Sequence, residues 1–195
     1  MLKRILIGLS GLFMLALPLT AQEVGDDGLH KQPWFFDSFL EMHDDLAEAA
    51  AEGKDLLILI EQAGCPYCRE LHEVNFKRTE ITDYIKAHYL VVQLDLFGAR
   101  GTVDFDGQEI EERDLVDKWG AQFTPTTIIF SRENLNATSA KDAEVFRLPG
   151  YLKPFHYMTA LEYVTTGEYK NQTFQRYLKA KVTDLEAKGI KADIW

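Results

Sequence analysis

The sequence predicts an α/β domain, a sheet with helices packed on both faces. Two observations carry that expectation. Unbroken apolar runs of strand length, "KDLLILI" and "HYLVVQLDL", suit strands covered on both sides, since a strand with one wet face alternates apolar and polar residues. Segments with helical spacing separate these runs, and alternation of strands with helices is the pattern of a covered sheet. The chain has 195 residues, 46% of them hydrophobic and 27% charged, which suits one soluble domain with a sizeable core.

In chain order, the start is a targeting pattern. Lys3 and Arg4 precede the apolar run "ILIGLSGLFMLALPL", and small or polar residues follow, with Ala21 before Gln22 as the cleavage position. The run falls short of the roughly 20 residues that span a bilayer, so residues 1–21 are expected to be a removed signal peptide. Residues 22–36, with the polar string "QEVGDDGLHKQP", are expected to be a mobile lead-in to a domain over residues 37–190. Asp37 or Ser38 is expected to cap a helix over "FLEMHDDLAEAAAEG", with Phe39, Leu40, Leu46, Ala47 and Ala50 on one side and Gly53 ending it. The strand "KDLLILI" comes next, then "EQAGCPYC" and a helix over "RELHEVNF" whose apolar side is Leu71, Val74 and Phe76. "TEITDYIKAH" reads as a helix and "HYLVVQLDL" as the second strand. Residues 98–110 look like an insertion, with Asp106-Gly107 signalling a hairpin. "EERDLVDKWG" reads as a short acidic helix, "TPTTIIF" and "EVFRLPGY" as the third and fourth strands, and roughly 153–166 and 171–188 as closing helices.

Cys65 and Cys68 are the chain's two cysteines. A bridge across two intervening residues constrains the unfolded chain little, so a structural staple explains them poorly. A structural zinc site wants four ligands; His72 is a third candidate, but there is no second cysteine pair. Haem attachment needs a histidine straight after the second cysteine, where Arg69 stands. Copper delivery by the same two thiols remains an alternative. The favoured reading places Cys65 at a strand end, opening a helix. Unpaired N–H groups and the helix dipole stabilise a thiolate there, and the thiolate is the attacking species. Pro66 suits the first helical turn, and Cys68, one turn on, is placed to resolve a mixed disulfide. This reading requires Cys65 to be reachable, at a helix start. Tyr67 is expected to contribute contact surface; Arg69 and His72 are expected on the solvated helix surface.

Strand, "GCPYC", helix and a later "TP" opening a strand together resemble the thioredoxin superfamily over roughly residues 37–166. The resemblance implies a thioredoxin-like fold with an inserted β-hairpin and extra C-terminal helices. It implies a cis Pro125 facing the cysteines, with Thr124 offering its backbone to an extended substrate segment, and Gly150 allowing close approach of a partner. The signal peptide, the entry "PWFFDSFLEMHDDLAEAAAEGKDLLILIEQAGCPYC" and the ending "RLPGYLKPFHYMTALEYV" more narrowly resemble periplasmic thioredoxins of the SoxW type, which accompany bacterial sulfur oxidation. "CPYC" also occurs in glutaredoxins, which an exported chain of this size fits poorly. One departure matters. The family carries a buried carboxylate six residues before the first cysteine, where this chain has Leu59; Glu61, two residues on and on the same side of the strand, is the candidate for proton handling.

The expectation is thus a periplasmic thiol–disulfide oxidoreductase, reducing protein disulfides with Cys65 and Cys68. The alternative is a thiol oxidase or isomerase of the Dsb kind. No cofactor beyond the redox-active pair is expected. Expected partners are a protein disulfide, such as one on a sulfur-carrier protein, and a membrane protein that donates electrons. Loss of Lys3 and Arg4 with the leader moves the formal net charge from −10 to −12, which disfavours nucleic acid and anionic membrane. A monomer is expected.

Overall fold

The computed structural model describes residues 24–190; the expected leader over 1–21 lies outside them. β1 (Asp55–Glu61) pairs in parallel with β2 (Tyr89–Asp95) and antiparallel with β5 (Thr126–Phe130). β5 pairs antiparallel with β6 (Glu144–Pro149), giving the order β2-β1-β5-β6. A separate ribbon of β3 (Gly101–Val103) and β4 (Glu109–Glu111) is the inserted hairpin, with Asp106-Gly107 inside its connection.

β1 is buried along its whole length, as its unbroken apolarity predicts. Side chains alternate across a strand, so β1 serves two cores. Leu56, Ile58 and Ile60 face α1 (Met42–Ala51) and α4 (Glu112–Lys118), packing with Met42, Leu46, Leu115 and Trp119. Leu57 and Leu59 face the other way, toward Leu71 and Phe76, Ile81 and Ile85 of α3 (Thr79–His88), and Leu161 of α6 (Pro154–Thr165). The same alternation sends Glu61 to this second side. α5 (Ala140–Ala143) is a single turn, and α7 (Phe174–Ala187) lies outside α6, its Phe174 and Tyr177 rings against Tyr163.

Thr126, at the start of β5, is opposite both Ile60, near the end of β1, and Pro149, at the end of β6. With β2 parallel to β1, the loops after β1, β2 and β6 and the loop before β5 emerge along one edge of the sheet. That edge gathers the cysteines, Thr124-Pro125 and Gly150.

Three local expectations are corrected. α1 begins at Met42 with Glu41 at its cap position and no side-chain cap. Ser38 instead donates to the Asp45 carboxylate, 2.6 Å away, and accepts from the Leu40 N–H. Leu40 has φ 63°, a left-handed turn that reorients the chain, so Met42, Leu46 and Ala49 form the buried face while Phe39 is 93% exposed. Second, α2 (Pro66–Glu70) runs into a π-helical turn, Leu71–Asn75, with the Phe76 N–H bonded to Leu71 O at 3.0 Å. The wider turn swings His72 and Asn75 inward beside Phe76 and leaves Val74 out. Third, residues 24–36 do not stand apart as a mobile lead-in. Leu29 is fully buried, and the Phe36 N–H donates to Val91 O at 2.7 Å, so this segment lies packed along β2.

Candidate functional site

Cys65 is the N-cap of α2, and Pro66 occupies the first turn as its fixed φ allows. Cys65 and Cys68 are joined as a disulfide, their Cα atoms 5.3 Å apart. The Cys68 N–H donates to Cys65 Sγ at 3.0 Å, so the first sulfur accepts one of the helix's free N–H groups. The Thr124–Pro125 peptide bond is cis, as the resemblance implied. The Thr124 hydroxyl donates to Cys65 Sγ at 3.4 Å, and the Thr124 carbonyl oxygen lies 3.6 Å from the same sulfur. Behind this loop, the Gly150 N–H donates to Pro125 O at 2.7 Å, with Gly150 at φ 85°, a conformation that suits glycine.

Access to the pair is narrower than a thiol sitting openly at a helix start. Cys65 keeps 4% of its surface and Cys68 1%, because Thr124 covers one side and the helix the other. A partner sulfur therefore arrives through Cys65. The rim is open: Ala63, Gly64, Pro66 and Tyr67 are exposed, and Tyr67 stacks parallel to Tyr151. Phe123 and Phe97, from the neighbouring loops, are also exposed.

Glu61 is 1% exposed, turned from the strand end into the second core. Its carboxylate accepts from His72 Nε2 at 3.0 and 3.2 Å and from Gln93 Nε2 at 2.5 Å. His72 was expected on the solvated surface; it is 1% exposed, one helical turn beyond Cys68 on the buried side. Its Nδ1 faces Gln32 Nε2 at 3.2 Å, so a neutral ring carries its proton on Nε2 and accepts at Nδ1. Lys31 Nζ donates to Gln93 Oε1 at 2.9 Å and pairs with Asp27, while Gln93 also donates to the His30 carbonyl. The His30 ring sits 5.4 Å from that of His72; burial, then the neighbouring His72, holds it below the usual imidazole range. Sequence reading found Glu61 but missed His72, Gln93, Gln32 and Lys31. The single legible signal was the spacing of His72, four residues after Cys68. Among the described residues, no group of three or more His, Cys, Asp or Glu is arranged to hold a metal.

The arrangement can form and break a disulfide at Cys65, and the same domain buries the Glu61 carboxylate with His72 and Gln93 as its partners. The fold agrees with a solved structure of a thioredoxin-fold protein from Helicobacter pylori, 23% identical, covering 68% of this chain and 86% of that one with a TM-score of 0.53. A thioredoxin from Thermus thermophilus, 19% identical, aligns over 64% of this chain and 84% of its own with a TM-score of 0.48. No curated protein matches the sequence. Residues 42–165, well over half of the chain and including both cysteines and the Thr124–Pro125 loop, match the thioredoxin-like domain, and the chain belongs to that family.

Proposed function

We propose that this protein is an exported thiol–disulfide oxidoreductase that reduces disulfides on partner proteins. The observation that carries the reading is the Cys65–Cys68 disulfide at the start of α2, with Cys65 Sγ accepting from both the Cys68 N–H and the Thr124 hydroxyl. Once the bridge is reduced, those two donors stabilise negative charge on Cys65 and favour it as the nucleophile. The Cys65 thiolate attacks one sulfur of a partner disulfide, and the other partner sulfur leaves as a thiolate. Cys68 then attacks Cys65, the mixed disulfide breaks, and the partner departs with both sulfurs reduced. The Thr124 and Gly150 backbone flanks the approach to Cys65, and an extended partner segment docks there, with Tyr67 supplying contact area.

The leader pattern supports export to a periplasm, and the likeness to SoxW-type proteins supports a sulfur-carrier protein as the partner, with electrons supplied across the membrane. Potentials in this superfamily run from about −270 to about −120 mV, roughly 7 kcal/mol for two electrons, so the potential separates a reductase from an oxidase. The direct test is reduction of insulin disulfides with dithiothreitol present. Wild-type protein is expected to accelerate it and Cys65→Ser to be inert; equal rates end the reading. Equilibration of the Cys65–Cys68 pair with glutathione fixes the direction, and a potential near −120 mV would replace reductase with oxidase.

A further inference from the structure

The mechanism above leaves one buried polar residue unused: Asn75, which ends the π-helical turn behind the cysteines and is 0% exposed. Burying an amide costs free energy unless both of its ends are bonded, and here both are. Its Nδ2 donates to Leu152 O at 2.9 Å, and its Oδ1 accepts from the Tyr151 hydroxyl at 3.1 Å. The segment it holds, 150–153, belongs to no helix or strand and lies between Pro149 of β6 and Pro154 of α6. The Tyr151 ring also lies parallel to that of Tyr67 on α2, with centroids 6.3 Å apart.

From this segment the bonds lead back to the first sulfur. The Gly150 N–H donates to Pro125 O at 2.7 Å, one step beyond the last β5–β6 pair, Thr126 with Pro149. The Thr126 hydroxyl donates to Phe123 O at 2.6 Å and closes the turn. Thr124 is thus held on both flanks, and its hydroxyl donates to Cys65 Sγ at 3.4 Å. Two donors meet that sulfur. The Cys68 N–H is fixed by α2 itself, whereas the Thr124 hydroxyl is only as fixed as its loop.

We propose that Asn75 is a positioning residue for Cys65: by pinning the 150–152 backbone to the cysteine helix, it keeps the Thr124 hydroxyl aimed at the Cys65 thiolate. This rests on the oxidoreductase reading and adds to it a buried residue with no bond of its own to either sulfur among the described contacts. A plain packing role would cost stability on removal and leave the sulfur's ionisation where it was. A positioning role moves that ionisation, and moves it through Thr124.

The test reads Cys65 alone, in a Cys68→Ser background, by the pH midpoint of its alkylation with iodoacetamide. The ionisable groups on the surrounding elements are Tyr67, Arg69 and Glu70 of α2, Tyr151 and Lys153 of the 150–153 segment, and Glu61, His72 and His30 behind. The loops over 62–64 and 121–124 carry none. All of these groups stay in place in Asn75→Leu and Thr124→Val, so the midpoint is compared between variants that share them.

Thr124→Val is expected to raise the midpoint about one pH unit, the loss of one hydrogen bond to a charged sulfur. Asn75→Leu is expected to raise it about half a pH unit, about threefold less thiolate below the midpoint, because the hydroxyl is loosened rather than removed. Added to Thr124→Val, Asn75→Leu is expected to shift it no further. An unmoved midpoint in either single variant, or a second full shift in the double variant, would overturn the proposal. If Asn75→Leu does not fold, Tyr151→Phe carries the test, since it removes one of the two anchors at a half-buried ring. A rise that vanishes in the Thr124→Val background supports the proposal, and no rise defeats it. Wild-type protein that reduces no insulin fails the oxidoreductase reading instead, while the midpoints still decide the role of Asn75.

Discussion

Among the carboxylates this domain buries, those near the inserted hairpin and the one behind the cysteines have different partners. In and beside the inserted hairpin, Glu112 holds Arg100 and the Asp95 N–H, while Asp104 holds Lys118 at 2.7 Å, the Trp119 indole N–H at 3.1 Å and the Phe105 N–H. Behind the cysteines, Glu61 holds an imidazole and an amide. The hairpin cations are driven further from losing their protons, Arg100 chiefly by its bond to Glu112 and Lys118 chiefly by its bond to Asp104. Those pairs are permanent charges and serve as rivets. No Lys or Arg bonds Glu61 among the described contacts, so the region behind the cysteines has no such rivet. Burial alone does not make a carboxylate functional; the chemistry of the group holding it does.

Four measurements break or sharpen this contrast. The largest effect is kinetic: Glu61→Gln is expected to lower insulin-disulfide turnover about 100-fold, whereas Glu112→Gln leaves it unchanged in the same assay. Equal losses would erase the distinction. The next is thermodynamic. Glu112→Ala is expected to cost about 2 kcal/mol in denaturant unfolding, below the usual cost of breaking a buried pair because the Arg100 side chain is half exposed.

Asp45 supplies a third case, a carboxylate held by a hydroxyl with no cation. Burial is the main cause that raises it to about 6, with Glu48, Asp44 and Glu41 adding to the rise against the Ser38 bond. Its folded value lies above the unfolded 3.8, so its stabilising contribution is complete below that value and is lost as pH rises through about 6. Asp45→Asn is therefore expected to gain about 2 kcal/mol at pH 7 and nothing below pH 3.8, read from unfolding at the two pH values. The smallest effect tests how firmly the N-terminal segment is seated. A Cβ at Gly28 would meet the Ala63 Cβ at 2.9 Å, at φ +77°. Gly28→Ala is expected to cost about 1 kcal/mol and to raise amide exchange across residues 24–36.

The sheet was legible because long apolar runs announce doubly covered strands, as at β1 and β2, while β5 follows the Thr-Pro pair as a β-branched segment. The cysteines, Pro66 and Thr124-Pro125 were legible because the exchange chemistry and the family pattern demand those residue types at those places. His72 was not. Cys68, Leu71, His72 and Asn75 keep helical spacing, but a histidine and an asparagine on that stripe read as polar surface in a hydrophobicity pattern. Its covering was hidden too: "GLHKQP" is polar by composition, yet Lys31, Gln32 and the His30 carbonyl are used for their hydrogen bonds, which a hydrophobicity pattern does not register. A single apolar residue, Leu29, anchors the segment, too little for a pattern. Phe39 failed in the opposite sense, because the left-handed turn at Leu40 sets which residues enter the core.

The match to the family begins at Met42, downstream of Gly28, Lys31 and Gln32. A protein trimmed to that boundary would keep its strands and both sulfurs while losing the roof above Glu61 and His72, and water would reach them. Where proteolysis stops would then decide whether that roof is kept.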